Sequence, residues 1–193
     1  MHLLTELNRL KTDSINLYTV SIMRFLPFLF LLFSLNVHAA PPPEVFDKLD
    51  SAFPDMTFVD PDGKQAKISD YKGEVVLVKL WATWCPVCLK KWPEHQALYN
   101  EIKDDKGVRV ITLSVAEDPK ESQSWVDQQG YSVPLYVNNV TDRGAVQVAD
   151  DKKSFYFIKG TPMKFLIDKD GILRKKAVGS SGEVTASEIR QLL

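Results

Sequence analysis

The two cysteines of this sequence, Cys85 and Cys88, are the residues whose type and spacing most clearly permit chemistry. A bridge between them would close a very short loop and restrict the unfolded chain little, so stabilisation is a weak explanation for the pair. Zinc is a poor alternative because a structural zinc site takes four ligands, and only three histidines accompany the cysteines. The pair therefore favours reversible dithiol/disulfide chemistry, which requires no metal and no other cofactor.

The residues around the cysteines predict different roles for the two sulfurs. Pro86 suits the first position of a helix, which places Cys85 at the helix N-terminus and Cys88 one turn inside it. Two Cα atoms one turn apart lie within disulfide reach, and unpaired backbone N–H groups stabilise a thiolate. We predict that Cys85 attacks a client disulfide and that the more buried Cys88 resolves the mixed disulfide.

The segments on either side of the motif predict an α/β fold. Residues 75–81 form an apolar, largely β-branched run that is typical of a strand buried on both faces. Helical patterns at 86–102 and 120–129 alternate with a second apolar strand at 108–115, an order that implies parallel strands joined by crossover helices. Within the first helix, Pro93 is expected to introduce a kink.

Two turn sequences predict β-hairpins. Residues 60–63 read Asp-Pro-Asp-Gly and predict an N-terminal hairpin ahead of the α/β units. Residues 168–171 read Asp-Lys-Asp-Gly and join two antiparallel strands, so the central sheet should be mixed. Residues 138–159 give no consistent pattern, and a helix at 183–193 is expected to close the chain.

The N-terminus has the order of a secretory signal peptide. The basic Met23-Arg24 pair precedes an apolar run at 25–35, and the small residues that follow predict cleavage after Ala39. The apolar run has about 11 residues, whereas a membrane-spanning helix needs about 20, so a periplasmic location is favoured over membrane anchoring. Because acidic residues are scattered through the preceding segment, translation is expected to begin at Met23.

Three segments result from this reading of the chain. Residues 1–39 are the leader, residues 40–52 are a proline-rich spacer with a short helix, and residues 53–193 are the α/β domain. The net charge of the 193 residues is -1. Because positive and negative residues are nearly equal in number, the sequence does not predict a basic surface for nucleic acid, and we expect no nucleic-acid partner.

Three segments in order resemble exported thioredoxin-like reductases of the TlpA/ResA/CcmG (DsbE) class. They are residues 68–76 (ISDYKGEVV), 80–88 (LWATWCPVC) and 160–168 (GTPMKFLID), and the resemblance extends from about Phe53 to the C-terminus. It implies a thioredoxin-like fold, with a central mixed β-sheet flanked by helices and the N-terminal hairpin as an extension.

The same resemblance implies a substrate-binding surface around the cysteines. It makes Pro162 a cis-proline that faces the disulfide, and cis bonds are essentially confined to proline. Thr161 then offers backbone hydrogen bonds to a substrate peptide. Trp84 and Pro86 are expected to flank the exposed sulfur and to guide substrates. His95, two turns into the helix, is expected to be a polar surface residue.

Two lysines depart from the pattern of the class. Lys79 stands where thioredoxins have a buried aspartate, and Lys91 stands where ResA-like proteins have a glutamate. An ammonium group near the cysteines would stabilise a thiolate, whereas a desolvated neutral lysine could accept the proton of Cys88. The alternative is a lysine that snorkels to solvent or pairs with an acid. Lys79 is thus a candidate for tuning the pKa of the thiols.

The resemblance implies a periplasmic thiol:disulfide oxidoreductase that reduces client proteins through a mixed disulfide. Its partners would be proteins with disulfides and a membrane electron donor of the thiol-relay type. Cytochrome c maturation provides one class of client. The Val-Lys before the tryptophan and the Cys-Pro-x-Cys motif are also similar to the thioredoxin-like domain fused to exported methionine sulfoxide reductases. The alternative function is a copper-binding or metal-delivery module on the same fold, since thiolates favour Cu(I).

Overall fold

The computed structural model describes residues 48–138, 145–148, 154–158 and 160–193. These residues fall within one compact unit, Val45–Leu193. The predicted leader, its cleavage point and most of the predicted spacer lie outside the described residues. No helix in the described ranges is long and apolar enough to cross a membrane.

The described part of the chain contains nine strands, four α-helices and a 3₁₀ turn at Ile68–Tyr71. The strands are β1 (Thr57–Val59), β2 (Gln65–Lys67), β3 (Val75–Trp81), β4 (Val108–Ser114), β5 (Leu135–Val137), β6 (Ala145–Val148), β7 (Ser154–Phe157), β8 (Met163–Ile167) and β9 (Leu173–Val178). The helices are α1 (Pro86–Lys90), α2 (Trp92–Ile102), α3 (Pro119–Gln129) and α4 (Ala186–Arg190).

Seven of these strands form one mixed sheet in the order β2-β1-β5-β4-β3-β8-β9. Strand β3 is parallel to β4 and antiparallel to β8, so it is paired on both sides. The predicted N-terminal hairpin is confirmed: β1 is antiparallel to β2 and continues the sheet through one pairing with β5. Strands β6 and β7 pair separately as a hairpin within the segment that gave no consistent sequence pattern.

Strand β3 is buried along its whole length, which explains its nearly continuous apolar sequence. Val76, Val78 and Leu80 belong to one apolar cluster. Val75 and Leu77 point to the opposite face and belong to a second cluster with residues of α2 and α4. Burial of each such side chain contributes roughly 1.5 to 3 kcal/mol, so the sheet is held from both faces at this strand.

Three expectations about helices need correction. The helix predicted at 86–102 is divided at Lys91 into α1 and α2, because Pro93 has no N–H to donate to the carbonyl of Leu89. The short helix of the predicted spacer was expected at 44–51; residues 44–47 lie outside the described residues, and the described part contains a turn rather than a helix. The C-terminal helix begins only at Ala186, where Thr185 and Glu188 form a capping box.

Asp168 organises the turn between β8 and β9. Its Oδ1 accepts hydrogen bonds from the backbone N–H groups of Asp170 and Ile172 at 3.0 and 2.9 Å, and its Oδ2 accepts one from Arg174 Nε at 2.6 Å. Burial raises the pKa of Asp168, but these hydrogen bonds outweigh burial and leave its pKa below the ordinary 3.8. The ionised carboxylate therefore stabilises the folded state.

We expect Asp168→Asn, which keeps one acceptor oxygen but removes the charge, to lower the free energy of unfolding by about 1 to 2 kcal/mol at pH 7. The contribution of a carboxylate with a lowered pKa is present above its unfolded pKa and is lost as the pH falls through its folded pKa. The difference from the wild type should therefore shrink below about pH 4. Urea unfolding of the variant and the wild type at pH 7 and pH 3 measures this difference in the free energy of unfolding. Asp170→Asn, which changes an exposed side chain in the same turn, is the control, and equal effects of the two variants would contradict the prediction.

Candidate active site

Cys85 and Cys88 form a disulfide at the junction of β3 and α1, with their Cα atoms 5.2 Å apart. Cys85 is the N-cap of α1, and its Sγ accepts a hydrogen bond from the backbone N–H of Cys88 at 3.1 Å. Cys85 is 5% exposed and Cys88 is fully buried. The order of burial predicted for the two sulfurs is confirmed, and Pro86 occupies the first helical position as expected. The expectation that the Cys85 sulfur is exposed is wrong for this disulfide form, because Cys85 packs in a buried cluster with Trp81 and Trp92.

The peptide bond between Thr161 and Pro162 is cis, as the sequence resemblance implies. Because Leu80 of β3 pairs with Met163 of β8, Pro162 lies at the end of the sheet from which the chain continues to the cysteines. The carbonyl oxygen of Thr161 is 3.5 Å from the Sγ of Cys85. Residues 76 positions apart in the sequence are thus brought together at the disulfide.

Glu117 holds the turn that precedes Cys85, a role that the sequence analysis missed. Its Oε2 accepts hydrogen bonds from the backbone N–H and the hydroxyl of Thr83, at 2.7 and 2.5 Å, and its Oε1 accepts one from Ser122 at 2.8 Å. The sequence contained a signal for this role. Glu117 comes soon after strand β4, in the same way that the cysteine motif comes soon after the parallel strand β3. The carboxyl ends of parallel strands meet at one edge of a sheet.

Trp84 extends from this turn with 57% of its surface exposed. Its Nε1 donates a hydrogen bond to the carbonyl oxygen of Ala116 at 3.2 Å, which fixes the orientation of the ring. Pro86 and Val87 are exposed beside it. The disulfide is therefore bordered by an exposed apolar surface with one anchored aromatic ring.

Aromatic rings pack beneath the disulfide. Trp81 and Trp92 are fully buried, their ring centroids are 4.0 Å apart, and both belong to one cluster with Cys85 and Cys88. Trp125 covers this pair, with its ring centroid 5.3 Å from that of Trp92. The disulfide therefore rests on a rigid apolar layer that excludes water from its inner side.

A row of polar side chains crosses the buried sheet face next to these rings. Lys79 of β3 pairs in register with Thr112 of β4 and with Lys164 of β8, so the three side chains share one face. Lys79 is fully buried, and its Nζ has no hydrogen-bond partner among the described residues. Its Nζ lies 4.3 Å from the centroid of the Trp92 ring. The snorkelling alternative for Lys79 is therefore wrong.

His95 belongs to this row and is not the surface residue that the sequence suggested. It is 2% exposed, and its Nε2 lies 2.8 Å from the hydroxyl oxygen of Thr112. Burial lowers the pKa of His95 well below its ordinary 6.5, and Lys79 and Lys164 act in the same direction. The apolar pattern of a single continuous helix did not predict this burial. A new helix, α2, begins after Lys91, and His95 lies on its inward face.

Two lysines at the rim of the row are paired with acids. Lys164 is 5% exposed and forms an ion pair with Glu183. Lys91 pairs with Glu94 at 2.8 Å and approaches Glu183 at 3.6 Å. The hydrogen bond that the Lys91 ammonium donates to Glu94 raises the pKa of Lys91, so the pairing alternative describes this residue. Within the described ranges, no three His, Cys, Asp or Glu side chains are grouped to hold a metal ion.

Comparison with known protein families matches residues 48–193 to the model described as Redoxin. The thiol-disulfide oxidoreductase ResA of Bacillus thuringiensis strain Al Hakam is 32% identical over 126 residues, which cover 65% of this chain and 67% of that protein. The ResA of Geobacillus thermodenitrificans is 29% identical over 143 residues, which cover 74% of this chain and 75% of that protein. The resemblance to the ResA class inferred from three short segments is thus confirmed over most of the domain.

Solved structures show the same architecture. A candidate thiol-disulfide oxidoreductase from Bacteroides vulgatus matches with a TM-score of 0.61 and 25% identity, covering 77% of this chain and 99% of that one. A candidate protein disulfide isomerase from Bacteroides thetaiotaomicron matches with a TM-score of 0.58 and 26% identity, covering 75% and 87%. Together with the mixed sheet flanked by helices, these matches confirm the predicted thioredoxin-like fold.

We expect Glu117→Ala to lower the free energy of unfolding by about 1 to 3 kcal/mol, because the backbone N–H of Thr83 and two hydroxyl groups lose a charged acceptor. Glu117→Gln, which keeps one acceptor oxygen, should give an intermediate loss. Glu121→Ala removes an exposed acid from the first turn of α3 and should cost less than about 1 kcal/mol. Chemical denaturation of the three variants tests the ranking, and a Glu117→Ala protein as stable as Glu121→Ala would overturn it.

Proposed function

The chain belongs to the Redoxin family, and we propose that its thiol:disulfide oxidoreductase activity serves to reduce the disulfides of client proteins in the periplasm. The observation that carries the proposal is the disulfide between Cys85 and Cys88, placed where β3 leads into α1 and 3.5 Å from the carbonyl oxygen of Thr161. The identity to ResA proteins, which are named for thiol-disulfide exchange, supports the same chemistry.

The reaction begins when an electron donor reduces the disulfide to a dithiol. The thiolate of Cys85 then attacks one sulfur of a client disulfide, and the second client sulfur leaves as a thiolate. Cys88 loses its proton and attacks the Sγ of Cys85, which releases the first client sulfur. Two electrons thereby pass to the client, and the disulfide between Cys85 and Cys88 is formed again.

The hydrogen bond from the backbone N–H of Cys88 suits Cys85 for the attacking role. A donor 3.1 Å from the Sγ of Cys85 stabilises a negative charge on that sulfur more than a neutral thiol. Cys88 is fully buried and cannot meet a client directly. This asymmetry supports the assignment of Cys85 as the nucleophile and Cys88 as the resolving cysteine.

Four residues form the proposed substrate-binding surface. Thr161 and Pro162 present the backbone beside Cys85, where an extended client segment would form main-chain hydrogen bonds. Trp84 offers an anchored, exposed ring on the other side of the sulfur, and rigid aromatic residues commonly dominate binding energy in such surfaces. Pro86 completes the surface without offering an N–H group.

The location and direction of electron flow belong to the proposal. The signal-peptide pattern of residues 1–39 supports export to the periplasm. A compartment that already contains oxidants needs a supply of electrons to keep selected thiols reduced, which favours the reducing direction. The electrons would come from a membrane donor of the thiol-relay type. Apocytochrome c and methionine sulfoxide reductase are the proposed classes of client.

We expect the processed protein to catalyse reduction of insulin by dithiothreitol, measured by precipitation of the B chain. Cys85→Ser should abolish the activity, and Cys88→Ser should accumulate a mixed disulfide that gel electrophoresis without reductant detects. Val87→Ala, an exposed change between the cysteines, is the control and should remain active. Tight Cu(I) binding in a titration, without insulin reduction, would instead favour the copper-delivery alternative.

Export generates a separate prediction. When the full-length chain is expressed in a Gram-negative host, the mature protein should be recovered from the periplasmic fraction with Ala40 at its N-terminus. Ala39→Arg, which removes the small residue at the cleavage point, should retain the precursor. Recovery of an uncleaved wild-type chain from the cytoplasm would contradict the proposed location while leaving the thiol chemistry intact.

A further inference from the structure

A lysine amine lies buried and unpaired on the sheet face beneath the disulfide. Lys79 is fully buried, and none of the described residues forms a hydrogen bond with its Nζ. An isolated ammonium group in such surroundings is very unfavourable, so the group tends to lose its proton. Burial accordingly lowers the pKa of Lys79 from 10.5 to about 7, with Lys164 acting in the same direction.

None of the polar neighbours of Lys79 supplies it with a negative charge of its own. On β4, the hydroxyl of Thr112 is engaged with His95 Nε2. His95 on α2 is itself buried with a lowered pKa, which keeps it neutral at physiological pH. On β8, the ammonium of Lys164 is engaged with Glu183. None of these groups gives Lys79 a fixed counter-charge.

The charged groups around Lys79 have opposite effects on its pKa. Lys164 of β8 disfavours a second positive charge at Lys79, whereas Glu183 ahead of α4 and Glu94 of α2 favour one. Glu94 is engaged with Lys91, and Glu183 with Lys164. The protonation of Lys79 is therefore close to balance near neutral pH, and a further charge nearby would shift it.

The aromatic layer connects Lys79 with the redox centre. The Nζ of Lys79 lies 4.3 Å from the centroid of the Trp92 ring. Trp92 belongs to the same buried cluster as Cys85 and Cys88. Lys79 also lies two residues before Trp81 on the same strand face, beneath the turn that carries Cys85. A charge formed on these sulfurs would act on Lys79 through apolar side chains, where Coulomb interactions are stronger than in water.

We propose that, above about pH 7, Lys79 is neutral while the disulfide is closed and takes up a proton when reduction leaves a thiolate on Cys85. The disulfide and neutral Lys79 accept two electrons and two protons and give a Cys85 thiolate, a Cys88 thiol and a Lys79 ammonium. The net charge of the site is zero before and after this step. Reoxidation by a client disulfide releases both protons.

This inference rests on the proposed thiol:disulfide function and adds to it a means of regulating the thiolate. Lys79 acts through its charge and is therefore a positioning residue rather than a catalytic one. The coupling is reciprocal. If the thiolate of Cys85 raises the proton affinity of Lys79 by a certain factor, the ammonium of Lys79 raises the acidity of the Cys85 thiol by the same factor.

The direct test is an NMR titration of protein containing lysine labelled with ¹³C at Cε, in the oxidised and chemically reduced forms. Lys79→Met identifies the resonance by its loss. We expect the Lys79 signal to titrate near pH 7 in the oxidised protein and to show at least tenfold higher proton affinity in the reduced protein. Equal proton affinity in the two forms would overturn the proposal, and this readout uses the wild-type fold.

The reciprocal test is the pH dependence of iodoacetamide alkylation at Cys85 in the reduced protein. Lys79→Met should lower the alkylation rate about tenfold at pH 7, because the thiolate loses its counter-charge. Lys103→Met, which removes an exposed ammonium at the end of α2, should leave the rate unchanged. Equal rates for Lys79→Met and wild type would count against the proposal. If the wild type reduced insulin but Lys79 were insensitive to reduction, this inference alone would fail, and the proposed function would stand.

Discussion

The position of strand β3 in the middle of the sheet is the constraint on which the rest of the molecule depends. It is hydrogen-bonded to a strand on each side and covered by an apolar cluster on each face. The chain leaves its end at Trp81 and reaches Cys85 within four residues. Because the strand cannot shift without breaking both ladders and both clusters, the position of Cys85 relative to the sheet is fixed.

The neighbours of β3 carry the other parts of the site to the same edge. Strand β4 runs parallel and ends next to Ala116 and Glu117, which hold the ring of Trp84 and the backbone of Thr83. Strand β8 runs antiparallel and begins just after Pro162. Three adjacent strands therefore deliver the disulfide, its support and the cis-proline from distant parts of the sequence.

Much of this arrangement could be predicted from the sequence because the strongest signals were local. The apolar run of β3, the turn at Asp168 and the Cys-Pro-Val-Cys motif each specify one element. The interruption of the first helix also has a local cause, Pro93. The burial of His95 and the hydrogen bonds from Thr83 to Glu117 depend instead on contacts between segments that are remote in the sequence. No local pattern distinguishes a histidine that meets Thr112 across a helix and a strand from one that faces solvent.

Lys79 shows how a residue that does not fit its local sequence pattern can indicate a functional site. A lysine in the middle of a buried strand contradicts the apolar pattern around it, and the structure gives it no counter-charge among the described residues. Two other polar groups on the same face, Thr112 and Lys164, have partners. Other buried nitrogens without a hydrogen-bond partner among the described residues lie close to Lys79, namely His95 Nδ1 and the Nε1 atoms of Trp81 and Trp92. The unsatisfied polar groups therefore gather around the aromatic layer that packs under the disulfide.

The two outer strands of the seven-stranded sheet bear on whether the sheet can be extended by pairing with another chain. Strand β2 has only three residues, and β9 carries Arg174, Lys175 and Lys176 in succession. A short edge strand on one side and an edge strand with three charged side chains on the other are unfavourable templates for intermolecular β-pairing. Pairing of this sheet, edge to edge, with another extended chain is therefore disfavoured.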